Sequence, residues 1–172
     1  MQAHEIRGLF TYDSGYLYWK RRPRSDFKNG AGWYNFNNQF AGTCAGAARS
    51  DGRREIKIDG KSYKAARVIW AYHYSEWPTK MVDHINGDRS DDRIENLRLA
   101  TPRQNAQNRS VSAKNSSGFT GISWHAPSDK WWVRITIDGK TKSFGLYEDL
   151  AEACLVAINM RKQLFGNFAR DA

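Results

Sequence analysis

The alternation of hydrophobic and polar positions is clearest in residues 80–110, where it predicts two strands around a polar loop. Val82 lies in an extended run that stops at the turn-forming pair Asn86-Gly87. Leu97 and Leu99 alternate with polar neighbours, a pattern typical of a half-buried strand. The stretch therefore predicts a short antiparallel pair of strands.

A short helix is predicted directly after the second strand. Thr101 offers a hydroxyl N-cap, Pro102 suits the first helical position, and Gln104 completes a Thr-x-x-Gln capping box. Residues three apart are neighbours on a helix, so Asn105 and Asn108 would share a face. Together the three elements form a small β-β-α unit.

Three side chains of this unit suggest metal-assisted hydrolysis. The carboxylate of Asp83 and the amide oxygen of Asn105 are the kinds of ligand that Mg²⁺ or Mn²⁺ takes. A histidine side chain, with an ordinary pKa near ~6.5, suits the general-base role, so His84 is the candidate for activating water. Adjacent strand residues point to opposite faces, so Asp83 and His84 share a site only if the strand breaks there.

The stretch resembles the HNH (His-Me finger) nuclease motif in the form found in phage-encoded homing endonucleases. The resemblance implies that His84 is the general base, that Asn96 pins the loop, and that Asp83 and Asn105 bind one divalent metal. Asp92 stands where the family more often has Asn. Each residue alone is equally compatible with an ordinary turn or strand position, and the whole constellation carries the hypothesis.

Residues 1–79 are predicted to be a basic, β-rich part of the same nuclease domain. Asp13-Ser14-Gly15 predicts the turn of one hairpin, and Asp59-Gly60 predicts that of another. A short helix follows from Ala65 to Tyr72. No structure is assigned to residues 27–48.

A dense basic run follows the first hairpin, with two interpretations left open. It would clamp phosphates, or it is a solvated loop. Arg67, on the predicted helix, has the same two alternatives, since it would face phosphate or solvent. The basic run consists of Lys20, Arg21, Arg22 and Arg24.

Residues 111–117 are small and polar without periodicity and are predicted to be a linker. Residues 118–172 are predicted to form a second module with strands at 119–125, 131–137 and 141–146. A helix follows, ending at Gly166. The side chains expected to bury against the sheet are Ala151, Cys154, Leu155, Ile158, Leu164 and Phe165.

A three-stranded antiparallel sheet with one packed helix resembles the AP2-type DNA-binding domain. The supporting segments are Gly118 to Ile122, Trp132-Val133-Arg134-Ile135, Phe144-Gly145-Leu146-Tyr147 and Gly166-Asn167-Phe168-Ala169. The resemblance implies that the sheet enters the major groove, with Arg134 as the candidate for a base edge. Alternatively, these side chains simply cover the sheet. The supporting DNA contacts would be Trp124, His125, Lys130, Trp132, Thr136 and Lys142.

Composition agrees with this interpretation. The formal net charge is +9 and the sequence pI about 9.7, which favours a polyanionic partner. Most of the excess charge lies in residues 1–79, whereas residues 80–110 are nearly neutral. No apolar run approaches the ~20 residues of a membrane span, and the first residues lack the apolar core of a signal peptide. Cys44 and Cys154 lack the spacing of a zinc site, so no zinc is expected.

The sequence thus predicts a cytoplasmic α+β protein, located in the host cytosol if phage-encoded. Its function would be site-specific cleavage of double-stranded DNA, of the homing type, with one Mg²⁺ or Mn²⁺. A monomer with a single such site would nick one strand. The first alternative is a sequence-specific DNA-binding regulator retaining an inactive HNH fold, and the second is an RNA-binding or RNA-cleaving protein.

Overall fold

A computed structural model of the protein describes residues 2–108, 111 and 115–169. Contacts divide the chain into two compact units, Met1–Ala100 and Thr101–Ala172. Both units mix helices with antiparallel sheets, which confirms the predicted α+β class. In the described part of the chain, no helix has the length and apolarity to cross a bilayer. Residues 112–114 of the predicted linker at 111–117 lie outside the described residues, so the predicted domain limits stay predictions.

The first unit begins with a short helix and a hairpin, and it ends with the strand pair predicted from residues 80–110. Between them lie a helix, a three-stranded sheet and a second helix. In chain order its elements are α1 (Ile6–Leu9), β1 (Phe10–Asp13), β2 (Tyr16–Trp19), α2 (Gly30–Gln39), β3 (Ala47–Ala48), β4 (Arg54–Ile58), β5 (Lys61–Lys64), α3 (Ala65–Tyr74), β6 (Met81–His84) and β7 (Leu97–Ala100).

Local turn chemistry accounts for the hairpins of this unit. Ser14 and Gly15 both have positive φ, as do Asp59 and Gly60, which is the backbone of a tight hairpin turn. Helix α2 was not predicted from the sequence, because its glycines, asparagines and aromatic residues carry little helical periodicity. Its start is capped locally, since the Asn29 side chain accepts a hydrogen bond from the Gly32 N–H.

One hydrophobic core holds the first unit together. Side chains from α1, the first hairpin, β4 and α3 are almost fully buried in it, and each such aliphatic or aromatic side chain contributes roughly 1.5–3 kcal/mol by leaving water. Trp19 packs on Phe10 with ring centroids 4.4 Å apart. The most buried members of this core are Ile6, Phe10, Leu17, Ile56, Ile58, Val68 and Ile69.

The second unit contains α4 and the three-stranded sheet with its helix. The side chain of Arg161 donates a hydrogen bond to the carbonyl oxygen of Gln107 at 2.9 Å, which fastens the end of α4 within this unit. The predicted Thr101–Gln104 capping box is present in the structure. In chain order the elements are α4 (Pro102–Gln107), β8 (Ile122–His125), β9 (Lys130–Ile137), β10 (Lys140–Tyr147) and α5 (Leu150–Phe165).

The sheet has the order β10-β9-β8, with α5 packed on one side. Val133 and Ile135 are buried on the central strand, as the alternation predicted. Strand β8 is shorter than predicted because it starts at Ile122; Phe119 packs against the core without being part of the strand. Gly121 precedes it with φ +87°, and a Cβ there would lie 2.9 Å from the Arg134 carbonyl oxygen, so the close approach requires glycine.

The buried face of α5 differs from the predicted one. Ala153, Cys154 and Ala157 are buried, whereas Ala151 is exposed and Leu155 keeps 64% of its surface exposed. The prediction for Ala151, Leu155 and Leu164 was therefore wrong. Small residues allow the helix to approach the sheet closely, so the larger aliphatic side chains are left on its flanks. Gly166 ends the helix as predicted.

Candidate active site

The candidate general base lies at the end of β6 and contacts a carboxylate of the following loop. His84 Nε2 is 2.8 Å from Asp92 Oδ1, and the two residues are only 8% and 4% exposed. A buried carboxylate is costly unless it is paired, so each group satisfies the other. Asp92, which the sequence distinguished only as standing where the resembled family more often has Asn, is a buried partner of the histidine.

The candidate metal ligand Asp83 is also buried, with 6% of its surface exposed. Strand pairing places it opposite Arg98 of β7, and both Nε and Nη2 of that guanidinium lie 2.9 Å from Asp83 Oδ2. Such charge-assisted contacts are short and geometrically specific. Both Asp83 and His84 lie within β6, which ends at His84, and they contact different partners.

Asn96 holds the loop between β6 and β7 together. Its Nδ2 donates to Asn86 Oδ1 at 3.0 Å and to the Asp91 carbonyl oxygen at 2.8 Å. Its Oδ1 accepts a hydrogen bond from the Asn86 N–H at 3.0 Å. Asn96 is 8% exposed, so the loop is joined through a buried carboxamide whose donor and acceptor sides are both used.

Further carboxylates of the loop are used as structural acceptors. Arg93 donates from Nε and Nη2 to the two oxygens of Asp91, and these bonds lower the Asp91 pKa to about 2. Asp88 accepts from the Ser90 hydroxyl and N–H, and these bonds lower its pKa too. These acids are therefore charged acceptors that shape the loop over a wide pH range.

The donor types available for a metal fit a hard cation. Asp83 provides a buried carboxylate on β6, and Asn105 provides a carboxamide on α4, where it is half-buried. Among the described residues, no group of three or more His, Cys, Asp or Glu side chains could hold a metal ion. The convergence of Asp83, His84 and Asn105 stays a prediction, since Asn105 belongs to the second unit.

The second unit presents a polar and aromatic surface on the side of the sheet that carries Arg134. We call it the outer face. Arg134 lies 4.3 Å above the Trp132 ring and donates from Nη2 to Ser123 Oγ at 3.1 Å. Trp132 Nε1 donates to Ser143 Oγ at 2.7 Å. By strand register the outer face consists of Ser123, His125, Lys130, Trp132, Arg134, Thr136, Thr141 and Ser143.

Strand register corrects the placement of two predicted contacts. Trp124 pairs with Trp131 and Lys142 pairs with Ile135, so both lie on the opposite side of the sheet from Arg134. The amino-acid sequence does not give the register of the flanking strands, so both side chains were predicted to lie on the same face as Arg134. Lys130 is on the outer face, where its Nζ lies 3.1 Å from a carboxylate oxygen of Glu148. Direct DNA contact by any of these residues stays a prediction.

The basic run after the first hairpin separates into two kinds of residue. Lys20 donates to the Arg7 carbonyl oxygen, and Arg22 contacts Asp26 with a side chain only 15% exposed. Arg21 and Arg24 are exposed, and Arg24 Nη1 also donates to the Phe27 carbonyl oxygen at 2.7 Å. The four positive charges are therefore not equally available for phosphate.

Arg67 makes contacts within the first unit that neither of its two alternatives named. Its guanidinium donates to the carbonyl oxygens of Pro78 at 2.9 Å and Lys80 at 3.1 Å. These bonds fix the segment that leads into β6, so its role in the first unit is structural.

Sequence reasoning missed several residues that build the site. Asp92 and Arg98, the partners of His84 and Asp83, follow only from the folded loop and the strand register. Tyr12 was also missed; its hydroxyl accepts a hydrogen bond from the Ile94 N–H at 3.1 Å. The alternation of β7 offered one usable signal, because it predicts the strand that carries Arg98.

Comparison with known proteins identifies the nuclease module. A family model described as HNH endonuclease matches residues 63–107, a range that contains Asp83, His84, Asn96 and Asn105. Protein 3.8 of Escherichia phage T7 is 37% identical over 118 residues, covering 64% of this chain and 97% of that protein. No solved structure matches the chain. The predicted HNH module is thus confirmed, and the chain belongs to the family of phage T7 Protein 3.8 and carries an HNH endonuclease domain.

Proposed function

We propose that the protein is a site-specific DNA endonuclease of the homing type that nicks one strand of duplex DNA in the host cytosol. The observation that carries the proposal is the buried Asp83-His84 pair at the end of β6, inside the residues that match the HNH endonuclease family. Buried polar groups are retained only where specific partners offset the cost of their burial, and their position inside the matched nuclease motif favours a chemical role. The homologous phage protein supports a phage origin.

The proposed reaction is hydrolysis of one phosphodiester bond. His84 removes a proton from water as the water oxygen bonds to phosphorus, the bond to the leaving oxygen breaks, and that oxygen takes a proton from solvent. Asp83 and Asn105 would hold one Mg²⁺ or Mn²⁺. When bound, the cation would stabilise negative charge on the phosphate and the leaving oxygen. Asn96 keeps the loop, and with it the histidine, in a fixed position.

DNA recognition is proposed to come from the second unit, acting in the manner of an AP2-type sheet. Arg134 is stacked on Trp132 and bonded to Ser123, so its guanidinium is held on an exposed surface. An arginine restrained in this way loses little rotamer freedom when it binds the edge of a guanine. The exposed Arg21 and Arg24 would add phosphate contacts. The protein would act as a monomer on DNA.

A supercoiled plasmid carrying the gene's own genomic locus tests the proposal. With Mg²⁺ or Mn²⁺, the wild type should convert it to open circles, and a chelator should stop the conversion. His84→Ala should lower the rate by about 10²–10⁴-fold, the range for loss of a general base. His4→Ala, which changes an exposed histidine, is the matched control and should cleave normally.

One observation favours the alternative of a DNA-binding regulator with an inactive nuclease fold. The Arg98 guanidinium contacts Asp83 Oδ2, the carboxylate that a cation would use, and it would compete with that cation. Tight, specific binding of the plasmid without cleavage by either metal would select this alternative. Preference for RNA over duplex DNA in competition would instead select an RNA-directed function.

A further inference from the structure

His84 is paired with Asp92, a residue to which the proposed function assigns no role. Asp92 is 4% exposed, and its Oδ1 lies 2.8 Å from His84 Nε2. A carboxylate removed from water in this way is retained only with a compensating partner. The contact is therefore an interaction that constrains both side chains.

The backbone around Asp92 is held in place from several directions. Asn96 Nδ2 donates to the carbonyl oxygen of the preceding residue, Asp91. Two residues after Asp92, the Ile94 N–H donates to the Tyr12 hydroxyl of β1. The carboxylate that meets His84 is therefore positioned by the fold before any substrate binds.

Gly15, in the turn of the first hairpin, fits closely against this backbone. It has φ +90°, and a Cβ there would lie 2.8 Å from the Arg93 backbone N and 3.1 Å from the Asp92 carbonyl carbon. Only glycine permits this approach without displacing the loop. The N-terminal hairpin thus packs directly behind the residue that meets the candidate base.

The chemistry of the contact determines which nitrogen carries a hydrogen. An ionised carboxylate can only accept hydrogen bonds, so the hydrogen between the two groups belongs to Nε2 of His84. A neutral imidazole has one donor and one acceptor nitrogen, so Nδ1 is then the nitrogen that can receive a proton. A carboxylate in this place selects the ring orientation and the tautomer together.

We infer that Asp92 is a positioning residue that orients His84 through its Nε2–H and holds it in the tautomer competent to take a proton at Nδ1. The inference rests on the proposed function, because it assigns Asp92 to the same reaction. Asp92 acts through His84, so its contribution to the rate disappears when the histidine is absent. Its side chain affects the chemical step, whereas DNA binding does not depend on it.

Single-turnover cleavage by four proteins tests this dependence: wild type, Asp92→Ala, His84→Ala and the double variant. Asp92→Ala should lower kcat by at least about 10-fold, and this loss should not exceed the loss in His84→Ala. The KM and the Kd for DNA should stay unchanged. The double variant should cleave at the rate of His84→Ala. A wild-type rate in Asp92→Ala, or a double variant slower than His84→Ala, would overturn the inference.

A conservative variant and a matched control separate positioning from folding. Asp92→Asn keeps an oxygen that can accept from Nε2–H, so it should restore kcat to within about 10-fold of the wild type. Asp13→Ala removes an exposed carboxylate of the first hairpin and should cleave like the wild type. Failure of Asp92→Asn to exceed Asp92→Ala, with thermal unfolding matched, would contradict the hydrogen-bond role.

Nitrogen-15 NMR of the imidazole gives a readout that does not need activity or a folded variant. In its neutral form, the His84 ring of the wild type should show a hydrogen on Nε2 and none on Nδ1. The opposite tautomer would overturn the inference even in an active enzyme. The predicted tautomer in a wild-type protein that binds DNA without cleaving it would defeat the proposed function and the catalytic role of the pair together.

Discussion

The loop between β6 and β7 and the outer face of the second unit use polar side chains in opposite ways. His84, at the end of β6, and Asp92 and Asn96, in the loop, are almost fully buried, and each makes a short polar contact with a partner. On the outer face, Arg134 and Thr136 are exposed and bonded mainly to hydroxyl groups. Chemistry at one bond needs groups held in advance, whereas recognition needs groups that can still meet a partner.

The two regions also differ in how their charged side chains are paired. Carboxylates of β6 and the loop are paired with nearby donors, as Asp83 is with Arg98 and Asp91 is with Arg93. Among the described residues, fewer of the positive side chains of the outer face and of the basic run lie close to a carboxylate, which suits a polyanionic partner. The end of β6 and the following loop, nearly neutral and internally hydrogen-bonded, therefore differ from the exposed cationic surfaces, and each can be altered independently.

Asn96→Ala should have the largest effect, and it should act on the loop between β6 and β7. It leaves the Asn86 N–H and the Asp91 carbonyl oxygen without their buried partner, at a cost of about 1–3 kcal/mol for each group. Chemical denaturation should show the loss of stability, and cleavage should fall with it. Asn38→Ala, on an exposed position of α2, is the control; equal stability of the two variants would contradict the role of Asn96 in the loop.

Arg134→Ala should change recognition without changing the chemistry. Discrimination between the target site and unrelated DNA should fall by about 1–3 kcal/mol, while nonspecific nicking is retained. Arg134→Lys keeps the charge but lacks the planar fork, so it should retain affinity and lose discrimination. Binding titrations with both DNAs measure this, and unchanged specificity in both variants would remove the outer face from recognition.

The basic run allows a comparison between the exposed Arg21 and Arg24 and the partly buried Arg22. Replacing Arg21 and Arg24 together by Ala should reduce the slope of log K against log salt by about 0.9 for each phosphate interaction that is removed. Arg22→Ala should leave that slope unchanged and lower stability, because Arg22 is packed against Asp26 and Phe27. The same slope in the double variant and the wild type would mean that the run is only solvated.

The smallest expected effect is the pH-dependent contribution of Asp91 to the stability of the folded state. Arg93 lowers its pKa to about 2, below the ordinary value of 3.8, so the charged carboxylate stabilises the folded state. This stabilisation is complete above pH 3.8 and is lost as pH falls through about 2. Asp91→Asn should therefore melt below the wild type at neutral pH, and the difference should vanish near pH 2. A difference in melting temperature that does not depend on pH would contradict this account.

Locally encoded features could be predicted from the amino-acid sequence. The turns at Ser14-Gly15 and Asp59-Gly60, the capping box before α4 and the alternation of β9 all lie where they were predicted. The HNH module was also recognisable, because its polar residues are spaced along a continuous stretch of about thirty positions. Such patterns depend on residues that are close together in the sequence, so they can be recognised without knowledge of the fold.

The groups that meet across longer distances follow only from the folded chain. The Asp83–Arg98 pair depends on strand register, and the His84–Asp92 pair depends on how the intervening loop folds back. Register also places Trp124 and Lys142 away from the outer face, and tertiary packing buries Ala153 and Ala157 of α5 while Leu155 and Leu164 stay exposed. A shift of one residue moves a strand side chain to the other face, and local patterns do not specify that shift.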